Sequence, residues 1–240
     1  MTKPIFLQDA YQKMAQGHVV AHTADGGIIL DQSLFYATSG GQACDLGTLE
    51  VAGQTISVLD VRKAPEQDIV IYPDPADLDL LPVGAEVMQT IDWDRRYAHM
   101  RYHTALHLLS VVIPRPVTGG SITHAKARLD FDMPEAPTDK DAIERALNDL
   151  IAQNLSVSES WISDAELDAN PDLVKTMSVQ PPRGSGKIRL VKIGNDTDQI
   201  DLQPCGGTHV AKTGEIGPIR LGKIEKKGKQ NRRVNLFFAD

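Results

Sequence analysis

Hydrophobic and polar positions change period once along this chain. Over roughly the first ninety residues the apolar positions come in short β-branched runs, GGIILD, GTLEVAG, TISVLDVRK and DIVIYP, punctuated by Gly, Asp or Pro. Strands this short and this regularly spaced favour a small antiparallel barrel over alternating strands and helices. Pro73, Pro75 and Pro82 break up PDPADLDLLPVG, and VMQTID predicts one closing strand. From about Asp94 the period turns helical. In DRRYAHMRYHTALHLLSVV, Ala98, Tyr102, Ala105, Leu108, Leu109 and Val112 recur at three and four residues, predicting an amphipathic helix that Pro114 and Pro116 stop. A second helix is expected from Thr138 to about Leu155. Thr138 would be its cap, Asp141 the acidic partner of a capping box, and Ile143, Leu147, Leu150 and Ile151 its inward face. A third is expected from Asp164 to about Val174, interrupted near Pro171. HAKARLDFD, KIRLVKIG, IDLQP, PIRLGKIEKK and RRVNLFF alternate as strands. The chain thus reads as α+β: a small antiparallel β-barrel over 1–92, then an α+β domain over 93–240.

Composition adds limits. At 240 residues with 41% hydrophobic positions, the chain can bury a sizeable core and shows no sign of disorder. Two cysteines are too few for a disulfide-stapled fold. No apolar run suits a signal peptide or a membrane span, so a soluble cytoplasmic protein is expected, with no membrane partner. The net charge of −7 hides an asymmetry. Residues 1–92 carry 4 basic against 13 acidic side chains, a net of −9, and the remainder carries 21 against 19, a net of +2. Lys212, Arg220, Lys223, Lys226, Lys227, Lys229, Arg232 and Arg233 crowd the segment 212–233, which could meet a phosphate backbone or simply form a solvated hairpin.

Candidate chemistry centres on four residues. His103 and His107 stand one turn apart on the same face of the first helix, a spacing that suits a ligand pair but taken alone fits a helix-surface or buried hydrogen-bonding pair as well. Cys205 and His209 flank two glycines in QPCGGTHV, where a flexible turn lets both side chains bend toward one centre. A mixed set of thiolate and imidazoles suits Zn2+. Thr104 follows His103 where the zinc proteases carry Glu, and no deaminase-type cysteine pair is present.

Five ordered pieces carry a resemblance: LFYATSGGQACDLGTL at 34–49, RYHTALHLL at 101–109, SITHAKARLDFD at 121–132, CGGTHV at 205–210 and TGEIGPIRLGKIEKK at 213–227. Together they span nearly the whole chain, which resembles the freestanding alanyl-tRNA editing proteins of the AlaX family and the editing domain of alanyl-tRNA synthetase. The resemblance implies a synthetase-type α+β editing domain behind the β-barrel of the longer AlaX proteins. It implies zinc held by His103, His107, Cys205 and His209, and hydrolysis in trans of seryl-tRNA(Ala), or glycyl-tRNA(Ala), with mischarged tRNA and not DNA as the partner. Other small mischarged aminoacyl-tRNAs, or a zinc-stabilised tRNA-binding module without catalysis, are the alternatives. A nucleophilic Cys205 is the chemical rival to zinc-assisted hydrolysis.

Within this resemblance Thr123 sits on a pocket-facing strand and could read the serine hydroxyl, or serve strand propensity alone. Gly40, Gly41 and Gln42 form an orienting loop or a plain tight turn. Gly206 and Gly207 shape their loop or support a developing oxyanion, and Thr208 braces it. Lys126, Arg128, Lys226, Lys227, Arg232 and Arg233 are candidate contacts to tRNA phosphates. Ala37 and Ala43 stand where the family's glycine-rich motif often has proline, which loosens that loop.

Overall fold

The computed structural model describes residues 1–64, 68–175, 187–195 and 197–239. They form two compact units, Met1–Tyr97 and Ala98–Asp240.

The first unit is a closed barrel of six antiparallel strands. These are β1 (Met14–His22), β2 (Ile28–Leu30), β3 (Gly47–Val51), β4 (Gln54–Lys63), β5 (Ile69–Pro73) and β6 (Glu86–Ile91), in the circular order β1-β2-β5-β4-β3-β6. Closure removes the sheet edges. Ile28, Leu30, Leu49, Ile56, Val61 and Ile71 fill the interior. β1 was not anticipated: its inward positions are Ala15, Gly17 and Val19 and its outward ones Met14, Gln16, His18 and Val20, so hydrophobicity hardly alternates although burial does. Gly47 is required by closure, because a Cβ there would stand 2.1 Å from the Thr90 carbonyl oxygen.

A buried ion pair organises the long β2–β3 connection. The Arg96 side chain is wholly buried. Its Nε donates to both Asp45 carboxylate oxygens at 3.0 Å, while Nη1 and Nη2 reach the carbonyls of Ala10 at 3.0 Å and Leu34 at 2.8 Å. Asp45 also accepts the Tyr36 N–H at 2.7 Å, which ties both ends of the segment 34–45 to one guanidinium. Such a pair stabilises only because every charge is hydrogen-bonded.

The helix α1 (Trp93–Val112) begins in the first unit and continues into the second. The expected amphipathic helix is instead buried almost all round: from His99 to Ser110 only Arg101 is partly exposed. Polar His99, His103, Thr104, His107 and Ser110 break the apolar period because they too face protein. After it come β7 (Val117–Ile122), β8 (Ala127–Asp132), α2 (Lys140–Ala152), β9 (Val157–Ile162), α3 (Asp164–Asp168), β10 (Ile188–Gly194), β11 (Gln199–Pro204), β12 (Ile219–Leu221), β13 (Glu225–Lys227) and β14 (Asn231–Phe238). One sheet runs β12-β14-β8-β7 with β13 also paired to β14, and a second runs β9-β10-β11. β7 and β9 were not anticipated, since VTGGSI holds two glycines and VSESWI is largely exposed.

Two helix starts differ from expectation. α2 is capped by Asp139, which accepts the Ala142 N–H at 2.8 Å; Thr138 lies one residue too early, and no box forms with Asp141. α3 carries the capping box instead, between Ser163 and Glu166. Among the described residues no helix is long and apolar enough to cross a membrane.

Candidate metal centre

The buried helix α1 carries His103 and His107 with ring centroids 5.4 Å apart. Opposite them, β11 alternates: Asp201 and Gln203 turn inward while Ile200 and Leu202 stay partly exposed. Cys205 follows immediately, its N–H still paired with the Arg189 carbonyl of β10 at 3.1 Å. The chain then turns through Gly206 and Gly207, and the Gly207 N–H points at the Cys205 sulfur at 3.4 Å. This turn returns His209 to within 4.3 Å of the His103 ring and 4.6 Å of the His107 ring, centroid to centroid. The Cys205 Sγ lies 3.3 Å from Nε2 of both His103 and His209. One donor atom from each of the four residues falls within 4.8 Å of every other.

Hydrogen bonds behind two imidazoles fix which nitrogen faces the cluster. The Thr104 hydroxyl spends its single proton on the Met100 carbonyl at 2.9 Å, so toward His209 Nδ1 at 3.1 Å it can only accept. His209 therefore carries its proton on Nδ1 and turns the Nε2 lone pair toward Cys205. Asp201 accepts His107 Nδ1–H at 2.9 Å, which frees His107 Nε2 in the same way. The carboxylate is itself held by Gln203 Nε2 at 2.8 Å and by the Lys175 ammonium. Metal-binding histidines commonly have such carboxylate or hydroxyl partners behind them.

The protein groups alone bias the charges of this set. Burial by itself would raise the Cys205 thiol, but the neighbouring His103 and His209 outweigh it and hold its pKa well below the ordinary value. Burial, with His103 adding to it, pushes His209 well down, which favours the neutral ring a metal needs. His107 goes the other way: burial lowers it, yet the Asp201 hydrogen bond carries it up to about 9. Asp201, which burial would raise, is held down at about 2 by His107 and Lys175.

Two family models match this chain. Residues 188–235 match the second additional domain of threonyl- and alanyl-tRNA synthetases, and residues 5–95 match the class II (A) tRNA synthetases. The chain is 35% identical to an alanyl-tRNA editing protein AlaX-M of Methanosarcina barkeri over 100% of both chains. It is 36% identical to one from Saccharolobus solfataricus over 98% of both. An alanine–tRNA ligase of Pyrobaculum arsenaticum matches 94% of this chain at 36% identity, over 25% of its own length. The chain belongs to the AlaX-M family of alanyl-tRNA editing proteins. The match to the Methanosarcina barkeri protein runs through both units of the chain.

The other sequence candidates fall at several places in this AlaX-M chain. Gly40 and Gly41, at φ 57° and 86°, occupy the centre of a tight turn closed by the Gln42 N–H to the Ser39 carbonyl at 2.9 Å, within the first unit. Both positions need the left-handed backbone that glycine adopts freely. Gln42 is buried. Thr123 does not lie on a strand. It sits in the β7–β8 turn, its hydroxyl donating to the Lys126 carbonyl at 3.0 Å and accepting the Lys126 N–H at 3.2 Å, with exposed His124 beside it. In this turn the hydroxyl already has one donated and one accepted bond, both to Lys126, and keeps one further lone pair. Gly206 also departs from its expected role: it is exposed, has no left-handed φ, and a Cβ on it would meet nothing within 4 Å, so loop shape does not demand it. Gly207 and Thr208 are buried in the loop.

The six basic candidates are spread along the sheet. Lys126, at the β7–β8 turn, lies beside the start of β8 that pairs with Leu236, while Lys226 pairs with Arg232 and thence Phe131 toward the other end of the sheet. Arg128 and Arg233 both bind Asp130, the latter at 2.8 Å. Arg232 is buried against the Pro134 carbonyl, and Lys227 pairs with Glu225 at 2.9 Å. Arg128, Arg232 and Arg233 thus each have a partner within the protein.

Asp201, Gln203, Thr104 and Lys175 were missed. A signal existed for three of them. Counting back by twos from Cys205 along a strand reaches Gln203 and Asp201, and Thr104 adjoins His103. Lys175 is brought in only by the fold.

Proposed function

We propose that this chain hydrolyses the ester between a wrongly attached amino acid and tRNA(Ala). Its substrates are seryl-tRNA(Ala) foremost and glycyl-tRNA(Ala) second, and Zn2+ is held by His103, His107, Cys205 and His209. It is an aminoacyl-tRNA deacylase that acts in trans in the cytoplasm. The observation that carries this reading is the convergence of three imidazoles and a thiolate, in a chain akin to editing proteins along its whole length. The donor set fits the ion: bonds of about 2.3 Å to sulfur and 2.0–2.1 Å to nitrogen at tetrahedral angles put S and N about 3.5 Å apart. The two S···N separations here are 3.3 Å.

When bound, Zn2+ supplies Lewis-acid polarisation of the ester carbonyl and a lowered pKa for attacking water. The chain does the rest. Asp201 and Thr104 hold His107 and His209 in the tautomer that presents Nε2. Lys175 and Gln203 keep Asp201 ionised and aimed. Cys205, directed at the two Nε2 atoms, acts as a ligand and not as the nucleophile. Exposed Gly206, next to Cys205 in the chain, presents no side chain where an acceptor end can approach. Among the basic candidates, exposed Lys126 and Lys226 are the phosphate contacts, since Arg128, Arg232 and Arg233 are engaged within the protein.

The test is release of labelled serine from seryl-tRNA(Ala) by zinc-loaded protein, beside alanyl-tRNA(Ala) and His103→Ala. Fast serine release with alanyl-tRNA spared, abolished in His103→Ala, is expected. Folded, zinc-loaded protein that binds tRNA but leaves every aminoacyl ester intact would replace the reading with a binding module.

A further inference from the structure

We infer that Arg189 is a positioning residue that clamps the turn between Cys205 and His209 into the shape the metal set requires. The inference rests on the metal reading above. β10 and β11 run antiparallel with Leu190 opposite Pro204, so Arg189 stands beside the point where β11 ends and the ligand turn begins. Beyond the Cys205 N–H, which still meets the Arg189 carbonyl, the ladder gives out, and carbonyls drawn into the protein need new donors. Arg189 provides them. Its side chain is 4% exposed, and Nη1, which carries two hydrogens, donates to the Cys205 carbonyl at 3.0 Å and to the Gly207 carbonyl at 2.8 Å. Nη2 meets the Glu159 carboxylate on β9, which anchors the guanidinium plane and balances its charge.

The consequence is local order where the chain is otherwise freest. Two adjacent glycines separate Cys205 from Thr208, and glycine has the widest backbone freedom of any residue. Holding the carbonyls of Cys205 and Gly207 fixes the 205–206 and 207–208 peptide planes, which bracket the glycine pair. With them fixed, the Cys205 sulfur and the His209 ring keep their spacing before any metal arrives. A lysine, a single point donor on a flexible stem, cannot hold two carbonyls and a carboxylate in one plane. The hydrogen bonds of Arg189 go to backbone carbonyls of the turn and to Glu159, so its effect passes through the ligands.

Co2+ binding tests this, because its visible spectrum reports ligand geometry independently of activity. Affinity from chelator competition and the d–d bands would be measured for wild type, Arg189→Lys and Arg189→Met, with far-UV circular dichroism of the metal-free proteins alongside. Removing a group that orients ligands weakens metal binding by about 10- to 100-fold. That loss, with altered d–d bands, is expected for Arg189→Met at unchanged secondary structure, with Arg189→Lys falling between. Wild-type affinity and spectrum in Arg189→Met would overturn the inference. Should Arg189→Met not fold, wild-type affinity and spectrum in Arg189→Lys overturn it equally, and weakening there supports it. Wild type that binds no Co2+ or Zn2+ would instead remove the metal reading, and this inference with it.

Discussion

Replacing Asp201 by Asn keeps the size of the side chain and removes the charge behind His107. Asp201 is wholly buried and accepts hydrogen bonds from His107 Nδ1 and Gln203. Its pKa lies at about 2 against an ordinary 3.8. That difference corresponds to about 2 kcal/mol favouring the carboxylate in place. That energy belongs to the metal-free protein; for the metal, losing a partner behind a ligand weakens binding by about 10- to 100-fold, which is about 1.4–2.7 kcal/mol. Asn also offers an amide donor to Nδ1, which favours the tautomer whose Nε2 carries a proton toward the metal set. Competition for Zn2+ against a chelator at neutral pH should therefore show Asp201→Asn binding roughly 30-fold more weakly than wild type. Affinity within about threefold of wild type, in a folded protein, would refute the reasoning. The metal-free proteins add a pH signature. The Asp201 contribution is present above 3.8 and lost as pH falls toward 2. That of His107 is fully present below 6.5 and lost as pH rises through about 9. The stability gap between wild type and Asp201→Asn should be widest between pH 3.8 and 6.5.

Three further outcomes follow from the same geometry. With metal removed, iodoacetamide should label Cys205, whose pKa its histidine neighbours depress, well before Cys44, whose thiol burial and Asp60 push up; metal should protect Cys205, and equal labelling with and without it would place the thiol outside the set. Gly206→Ala has space for its methyl and no strained φ, so its melting temperature should hold or rise by the equivalent of about 0.4–1 kcal/mol. Serine release should fall at least about tenfold if the acceptor end uses that open face; unchanged rates would place the substrate elsewhere. Asp45→Ala leaves the Arg96 guanidinium buried without its carboxylate, and urea unfolding should show a loss of about 3–5 kcal/mol; a loss under about 1 kcal/mol would mean that the carbonyls of Ala10 and Leu34 suffice.

Local pattern determined much of this protein. Alternating β-branched runs marked five of the six barrel strands, and the shift to helical spacing marked α1. Two four-residue spacings, His103 to His107 and Cys205 to His209, marked the donors that the fold gathers within 4.8 Å. Those features depend on neighbours in sequence, which is why they were legible. β1 was invisible because a barrel interior filled from other strands lets Ala15 and Gly17 face inward. α1 read as amphipathic because its buried histidines and threonine look like a solvent face until the protein that covers them is known.

Only tertiary structure could assign the polar groups. Whether Thr123 turns its hydroxyl to a substrate or to the Lys126 carbonyl depends on where a hairpin turns. Whether Arg233 meets phosphate or Asp130 depends on strand register, as does the approach of Arg189 to the Cys205 turn. The reason is physical. Hydrophobic burial follows a period that sequence displays, whereas a hydrogen bond or ion pair forms only between groups brought within about 3 Å, and that proximity is a property of the folded chain.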